Sequence, residues 1–217
     1  MHLEIIRLTL GPLPNNVYLL GDQHSGNAVV IDPSFESDYV LQRVESLGWT
    51  LQGVWLTHGH FDHIAGAATI ANAFDPALPV GIHPDDMAWY SQGGGASRFG
   101  MSISQPPVPK ISFEDGMALR LSPDLAPVVR VLHAPGHSPG HVMFYCEDLA
   151  CLLCGDVIFR AGIGRTDLPG GDLEILLTTI RTKVLTLPDQ TRLLPGHGPE
   201  SSVGYERDHN PFLDSAS

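Results

Sequence analysis

The chain has 217 residues, of which 43% are hydrophobic and 17% are charged, and its 24 acidic side chains outnumber the 12 basic ones. This length and apolar content suit one domain with a sizeable core. The formal net charge of −12 argues against a general nucleic-acid-binding protein, because contacts to phosphates need a basic surface. The sequence begins without a secretory signal pattern and contains no apolar run long enough for a membrane span, so we expect a cytoplasmic protein without a membrane partner.

The first half of the chain alternates apolar runs with turn residues. Apolar residues at helical spacing predict helices over residues 37–47 and 63–74. Five short apolar runs bounded by Gly, Pro or Asn predict strands: LEIIRLTL, NVYLLGD, AVVIDPS, LQGVWLT and PVGIH. Residues 91–110 then break the pattern with three consecutive glycines and three prolines, which predicts a long irregular loop. Such a loop is either a functional lid or a disordered insertion.

The second half repeats the alternation. Apolar runs predict the strands VVRVLHAPGH, HVMFYC, ACLLCGD and TRLLPGHG, and an apolar stripe predicts a helix over residues 172–187 with Asp172 as its N-cap. The two successive sets of strands and helices predict two sheet-plus-helix halves packed face to face, in an α/β architecture. Since no linker divides the chain, we expect a single domain over residues 1–217.

Three cysteines lie in or beside the apolar runs of the second half. We expect Cys146, Cys151 and Cys154 to be buried in strands, because few and odd-numbered cysteines do not suggest a disulfide framework. The spacing of Cys151 and Cys154 also fits a redox or zinc pair, but no second pair accompanies it.

Four strand ends carry histidine or aspartate, in the segments VWLTHGHFDH, VLHAPGHSPGH, CLLCGD and RLLPGHG. In the first segment, His58 and His60 are two residues apart in an extended stretch and therefore point the same way. Asp62 and His63 follow at a strand-to-helix turn and can face a second position. Structural zinc sites usually draw on cysteine, and this segment has none. Together the four segments offer at least seven nitrogen and oxygen donors. If one carboxylate among them is shared, the set suits two metals ~3.5–4 Å apart in a hydrolytic site.

The remaining histidines divide by position. His137 follows a strand within a glycine frame, so we expect it to be a metal ligand, whereas we expect three other histidines at strand ends or starts to support ligands or fill space. These are His83, His133 and His141, while His2, His24 and His209 are expected at the surface or in packing positions. Asp32 ends a strand, where it either holds a ligand histidine in one tautomer or caps the turn before Pro33.

The motifs THGHFDH, PGHSPGH, CGD and PGHG occur in an order that resembles the metallo-β-lactamase superfamily. The resemblance covers nearly the whole chain, from GPLPNNVYLL to PGHGPESSVGYERDHNPF. It implies an αββα sandwich of two mixed β-sheets flanked by helices, with the metal site at one edge of the sheets. It also implies one metal site from His58, His60 and His137, a second from Asp62, His63 and His197, and Asp156 as the ligand that bridges both.

Within that superfamily, GDVIFRAGIGRTDLPGGD looks most like the glyoxalase II group in its short bacterial form. That likeness implies hydrolysis of a thioester such as S-lactoylglutathione by a metal-bridging hydroxide, which Asp62 would orient. Two departures concern the substrate. The chain ends about where the larger enzymes begin a helical glutathione-binding domain, and Arg165 and Asp167 stand where those enzymes have Lys and Tyr. We therefore treat Arg165 and Asp167 as candidate substrate-binding residues, with a salt bridge between Arg165 and an acid such as Asp167 as the other reading.

The tripeptide Arg165-Thr166-Asp167 is also similar to persulfide dioxygenases of the same branch. In that alternative a single Fe(II) is held by His58, His137 and Asp156, because two histidines and a carboxylate can activate oxygen. For the hydrolase we expect two divalent metal ions, zinc first and iron or manganese next, since His and carboxylate sites accept all three. The expected partner is a small acyl-thiol substrate, and the chain is expected to be a monomer or a small homo-oligomer.

Overall fold

In the computed structural model, which describes residues 2–213, the first half of the chain forms a six-stranded sheet in sequence order. Its strands are β1 (Leu3–Leu10), β2 (Asn15–Asp22), β3 (Asn27–Ile31), β4 (Thr50–Trp55), β5 (Val80–Ile82) and β6 (Ile111–Ser112). The pairs β1–β2 and β2–β3 are antiparallel, and β3 to β6 run parallel. Parallel neighbours need crossover connections, and the helices of this half lie in those connections.

The second half forms another six-stranded sheet and one separate hairpin. Its strands are β7 (Ala118–Leu119), β8 (Val129–His133), β9 (Val142–Cys146), β10 (Cys151–Gly155), β11 (Ile158–Phe159), β12 (Gly162–Ile163), β13 (Arg192–Pro195) and β14 (Ser201–Ser202). The sheet order is β14-β13-β10-β9-β8-β7, with β10 and β13 parallel, while β11 and β12 pair only with each other.

Six α-helices accompany the sheets in residues 2–213: α1 (Asp38–Ser46), α2 (Phe61–Ile64), α3 (Ala67–Asn72), α4 (Met87–Ser91), α5 (Leu173–Thr179) and α6 (Val203–His209). None of the helices formed by these residues has the length and apolar character that a membrane crossing requires. The helix predicted over residues 63–74 is divided into α2 and α3 at Gly66, where a Cβ would lie 2.4 Å from the Ser34 carbonyl oxygen. The helix predicted over residues 172–187 is α5 followed by π-helical turns, and the Asp172 cap is confirmed by the bond that its side chain accepts from the Ile175 N–H.

Side-chain alternation along the strands builds the layers. In β3, Val29 and Ile31 join a cluster that also contains residues of the second sheet, whereas Ala28 and Val30 join a cluster with the helices α1 and α3. A third cluster packs the outer face of the second sheet against α5 and α6. Successive residues of a strand point to opposite faces, so each sheet contributes buried side chains to a cluster on either side of it. The predicted αββα sandwich is confirmed.

The three cysteines are free and buried in strands, as predicted. Cys151 lies in the cluster between the sheets, and Cys154 lies in the outer cluster against the helices. Because the two sulfurs are on opposite faces of β10, they form neither a redox pair nor a zinc pair.

The segment predicted as a long irregular loop is partly helical. Residues Gly93–Phe99 form 3₁₀ turns directly after α4, and Gly93, Gly94 and Gly95 have φ angles of 69°, 62° and 78°. A Cβ on Gly94 would lie 2.2 Å from the backbone nitrogen of Phe61. The glycines therefore let this segment pack on the start of α2, which carries two of the predicted metal ligands.

Candidate metal centre

The seven predicted ligands come from four places at one edge of the sandwich. His58 and His60 lie between β4 and α2, and Asp62 and His63 lie in α2. The other three follow strands of the second sheet: His137 after β8, Asp156 after β10 and His197 after β13. The structure brings all seven together, in two clusters joined by Asp156.

The first cluster consists of three buried histidines. One ring nitrogen from each of His58, His60 and His137 lies within 4.8 Å of the others, with 2.8 Å between His60 Nδ1 and His137 Nε2. The His137 Nε2 atom is also 3.3 Å from His58 Nε2. Burial and the neighbouring histidine His137 lower the pKa of His60 to about 3, and burial also lowers the pKa values of His58 and His137. Neutral imidazoles offer lone pairs, so the cluster suits a cation.

The second cluster consists of Asp62, His63 and His197, whose ligand atoms also lie within 4.8 Å of one another. His197 Nε2 is 3.2 Å from Asp62 Oδ2, and His63 Nε2 is 3.7 Å from the same oxygen. Burial disfavours ionisation of Asp62, but His63 and the hydrogen bond from His197 outweigh it and lower its pKa to about 2. His197 is less buried than the other ligands, so this cluster is the one nearer the opening.

Asp156 lies between the two clusters. Its Oδ1 atom is 3.4 Å from His63 Nε2, and its Oδ2 atom is 3.7 Å from both His137 Nε2 and His197 Nε2. The carboxylate thus faces a histidine of the first cluster and two of the second. Burial disfavours its charge, but His63 and His137 hold its pKa well below the usual range.

Two atoms at this junction test whether a metal fits. His63 Nε2 and Asp156 Oδ1 are buried and have no hydrogen-bond partner among residues 2–213. Buried polar atoms nearly always have a partner, so an unpaired nitrogen and oxygen that face each other fit a bound cation. The nitrogen and oxygen donors of the two clusters fit divalent zinc, iron or manganese.

Hydrogen bonds behind the clusters select the histidine tautomers. Asp32 accepts bonds from the Thr57 N–H and the Thr57 hydroxyl, at 2.7 and 2.6 Å, and from His63 Nδ1 at 3.0 Å. Since that hydroxyl donates its only proton to Asp32, it accepts from His58 Nδ1 at 2.9 Å. In the same way, His137 Nδ1 donates to the Arg165 carbonyl oxygen at 2.8 Å. The Nε2 atoms of all three rings face the clusters, so Asp32 orients a candidate ligand histidine.

The other strand-end histidines support the site or pack. His141 Nε2 accepts a bond from the Asp156 N–H at 3.0 Å, and its ring stacks on His58, which matches the expected supporting role. His83, Asp85 and His133 also bring ligand atoms within 4.8 Å of one another. However, the rings of His83 and His133 are stacked in parallel, with 4.2 Å between their centroids. An imidazole nitrogen binds a cation in the plane of its ring, so these stacked rings do not share one, and they are packing histidines as expected.

Sequence reasoning missed two supporting residues. Asp86 is fully buried and accepts bonds from the Gly59 N–H (2.8 Å), the Ser138 hydroxyl (2.7 Å) and the Gly140 N–H (2.6 Å). It thereby joins the loop of His58 and His60 to the loop of His137. Asn15 donates to Asp62 Oδ2 at 3.3 Å. The available signal for Asp86 was its place just after β5, at the sheet edge where the other ligands gather.

Two glycines of the motifs are required by close approach. A Cβ on Gly196 would lie 2.3 Å from Asp156 Oδ1 and 2.6 Å from His63 Cε1. A Cβ on Gly164 would lie 1.8 Å from the Asp156 carbonyl oxygen. Larger residues would push the shared carboxylate out of place.

The clusters open into a cavity of about 490 Å³, a size typical of small-molecule sites. We call the seven candidate ligands its floor, although only five of them line the cavity directly. We call its rim the apolar side chains that line it, together with Arg165, which also lines it, and the ion-pair partner Asp167. The apolar rim residues are Leu13, Phe61, Phe99, Phe159, Ile163 and Leu168.

The two candidate substrate-binding residues pair with each other. Arg165 Nε and Nη2 donate to the two carboxylate oxygens of Asp167 at 2.7 and 2.8 Å. These bonds hold the pKa of Asp167 at about 2. Arg165 lines the cavity while its guanidinium group is bound to Asp167.

A sandwich of this topology, with clustered histidines and aspartates at one sheet edge, defines a class of metal-dependent enzymes. Residues 10–197 match the Metallo-beta-lactamase superfamily, and the chain belongs to that superfamily. It is a metal-dependent enzyme of the hydrolase type.

Two relatives span almost the same length. A probable metallo-hydrolase of Bacillus subtilis is 38% identical over 97% of this chain and 98% of its own. Hydroxyacylglutathione hydrolase GloC of Haemophilus influenzae is 37% identical over 100% of both chains.

Three solved structures share the fold. TTHA1623 in a di-iron-bound form has a TM-score of 0.87 and 40% identity, over 96% of this chain and 100% of that one. The BLEG-1 B3 metallo-β-lactamase has a TM-score of 0.90 and 35% identity, over 98% and 100%. ETHE1 from Myxococcus xanthus has a TM-score of 0.80 and 28% identity, over 99% and 86%.

Proposed function

We propose that this protein is a two-metal hydrolase of thioesters, of the glyoxalase II type. The observation that carries the proposal is the Asp156 carboxylate, whose two oxygens lie within 3.7 Å of histidines from both clusters. A carboxylate shared by two metals is suited to hydrolysis. The similarity to a protein named hydroxyacylglutathione hydrolase and to a structure in a di-iron-bound form supports the proposal.

In this proposal one metal would be held by His58, His60 and His137 and the other by Asp62, His63 and His197. Asp156 would be a ligand of both. When bound, two divalent metals lower the pKa of a coordinated water to about 7 and polarise the substrate carbonyl. Zinc is the first candidate, with iron and manganese next, because histidine and carboxylate donors accept all three.

The protein's own groups position the reactants. Asp32 and Thr57 fix the rings of His63 and His58, and the Arg165 carbonyl oxygen fixes the ring of His137. Asp62 is held by Asn15 and faces the cavity, so we assign it the role of orienting the attacking water. A nucleophile held in this way attacks along one direction without paying the entropy of a random encounter.

A thioester suits the composition of the rim. A thiol has a pKa of about 8.5, so the thiolate leaves near neutral pH with little or no help from a general acid. An ester or amide would need a proton donor at its leaving atom, and the rim side chains are apolar apart from the ion pair. The substrate class we propose is therefore a small acyl-thiol, such as S-lactoylglutathione or a relative of it.

The test is elemental analysis of the purified protein, combined with S-lactoylglutathione hydrolysis at several metal loadings. We expect activity to rise to a maximum at two metals per chain. A maximum at one metal per chain, or no hydrolysis by the two-metal form of this or any other thioester, would contradict the proposal.

A second candidate function is a mononuclear Fe(II) persulfide dioxygenase. It is favoured by the resemblance of Arg165-Thr166-Asp167 to that group and by the similarity to ETHE1 in fold. Its iron would be held by His58, His137 and Asp156. One iron per chain, with oxygen uptake in the presence of a persulfide and no thioester hydrolysis, would replace the first candidate by this one.

A further inference from the structure

The rim has few groups that can recognise a charged substrate. Six apolar side chains line the opening, and Arg165 is the one lysine or arginine that lines this cavity in residues 2–213. Apolar walls favour an apolar ligand, and the few polar groups among them decide its orientation. Whether the positive charge of Arg165 is available to a ligand therefore decides which substrates the rim accepts.

Asp167 already forms an ion pair with Arg165. The guanidinium group gives Asp167 two parallel bonds of 2.7 and 2.8 Å, the geometry that a guanidinium prefers for a carboxylate. A substrate carboxylate can reach only the remaining N–H groups of Arg165, and it must bind them beside the negative side chain of Asp167. The pair presents almost no net charge to the cavity.

The other arginines near the opening point elsewhere. The Arg98 guanidinium lies 5.9 Å from the Trp89 ring centroid, and Arg98 lines a different cavity of about 220 Å³. The Arg160 guanidinium lies 4.4 Å from the Tyr205 ring centroid and donates to the Glu200 carbonyl oxygen. With a net charge of −12, the protein as a whole also repels anions.

We propose that the cavity selects acyl thioesters whose thiol half is uncharged over those of a carboxylated thiol, and that Asp167, by neutralising Arg165, is the residue that sets this preference. The inference rests on the proposed thioesterase function and narrows its substrate class. Glutathione carries two carboxylates and one ammonium group, so its thioesters bring negative charge to a rim with no free cation to receive it. An uncharged thiol of similar length places only amide and methylene groups there.

The test compares two substrates with the same acyl group, S-butyryl-N-acetylcysteamine and S-butyrylglutathione, on the protein loaded with metal. Release of the thiol is measured with a thiol reagent. We expect kcat/KM to be about tenfold higher for the uncharged substrate than for the glutathione thioester, because the acidic protein and the neutralised Arg165 do not attract an anion. Raising the salt concentration from 0.1 to 1 M shortens the screening length from about 10 to about 3 Å and should narrow this ratio.

The variant Asp167→Asn keeps the side-chain shape but frees Arg165 for a substrate carboxylate. We expect it to shift the ratio of the two kcat/KM values about fivefold towards the glutathione thioester, the scale of an exposed ion pair. The matched control Asp124→Asn removes the same charge from an exposed turn between β7 and β8 that does not line the cavity. An equal shift in both variants would assign the effect to net charge and overturn the role of Asp167.

The two proposals fail in different ways. If the metal-loaded protein hydrolyses S-butyrylglutathione as well as or better than the uncharged thioester, the substrate preference is wrong and the thioesterase function stands. If it hydrolyses neither thioester, the proposed function itself is wrong, and the preference falls with it.

Discussion

At the floor of the cavity, four of the seven histidine and aspartate side chains are held by hydrogen bonds with residues outside the clusters, whereas the rim consists of six apolar side chains and one exposed ion pair. Floor residues such as His58 and His63 are completely buried, while Leu13 and Phe99 of the rim are more than 40% exposed. A metal site needs ligand atoms at fixed distances, and burial together with hydrogen bonds from neighbouring groups maintains them. A rim that selects substrates needs only shape and polarity, so its residues can be exposed and exchangeable.

Asp156→Ala should break the floor most severely, because this carboxylate contacts both clusters. We expect metal content to fall below two per chain and kcat/KM to fall by more than the ~10–100-fold that loss of an outer-shell partner costs. Elemental analysis and thioester hydrolysis measure the two effects. Asp148→Asn changes an exposed acid in the turn between β9 and β10 and serves as control. Retention of two metals with full activity in the alanine variant would remove Asp156 from the site.

Asp86→Asn tests the support beneath the floor. Asp86 now accepts hydrogen bonds from three buried donors. The asparagine amide would point its own N–H group at one or more of these donors, which would then lose a hydrogen-bond partner. Loss of such a bond to a charged group costs about 1.5–3 kcal/mol of stability, and we expect metal affinity to fall by about 10–100-fold. Thermal unfolding and metal titration measure the two effects.

The neighbouring residue provides a matched control for Asp86. Asp85 lies in the same 3₁₀ turn, but its side chain is 60% exposed, so Asp85→Asn should change neither quantity appreciably. Equal effects of the two substitutions would mean that charge in this turn, rather than the three bonds of Asp86, supports the floor.

The floor and the ion pair of the rim were predictable from the sequence, and the apolar part of the rim was not, for a physical reason. His58, His60, Asp62 and His63 are close in the sequence, and strand ends in one sheet edge bring the remaining ligands to them. Resemblance to a family then implied which ligands form each site. The rim residues come from β-hairpin, helix and loop positions spread from Leu13 to Leu168, and nothing in their local pattern separates them from core residues. Asp86 escaped prediction because a buried aspartate after Pro84 has the sequence pattern of an ordinary turn.

Phe99→Ala tests the rim separately from the floor, and we expect the smallest effect on activity of the substitutions considered. The ring lies 5.2 Å from that of Phe61 between their centroids and contributes to the apolar wall. Its removal takes contacts from an apolar acyl or thiol group, so we expect KM for S-butyryl-N-acetylcysteamine to rise by about three- to tenfold. Metal content should stay the same, because the Phe99 ring takes no part in the hydrogen bonds that hold the floor residues. Val108→Ala, at a side chain that is 83% exposed and does not line the cavity, controls for loss of a surface apolar group. A loss of metal in Phe99→Ala would show that rim and floor are not separable.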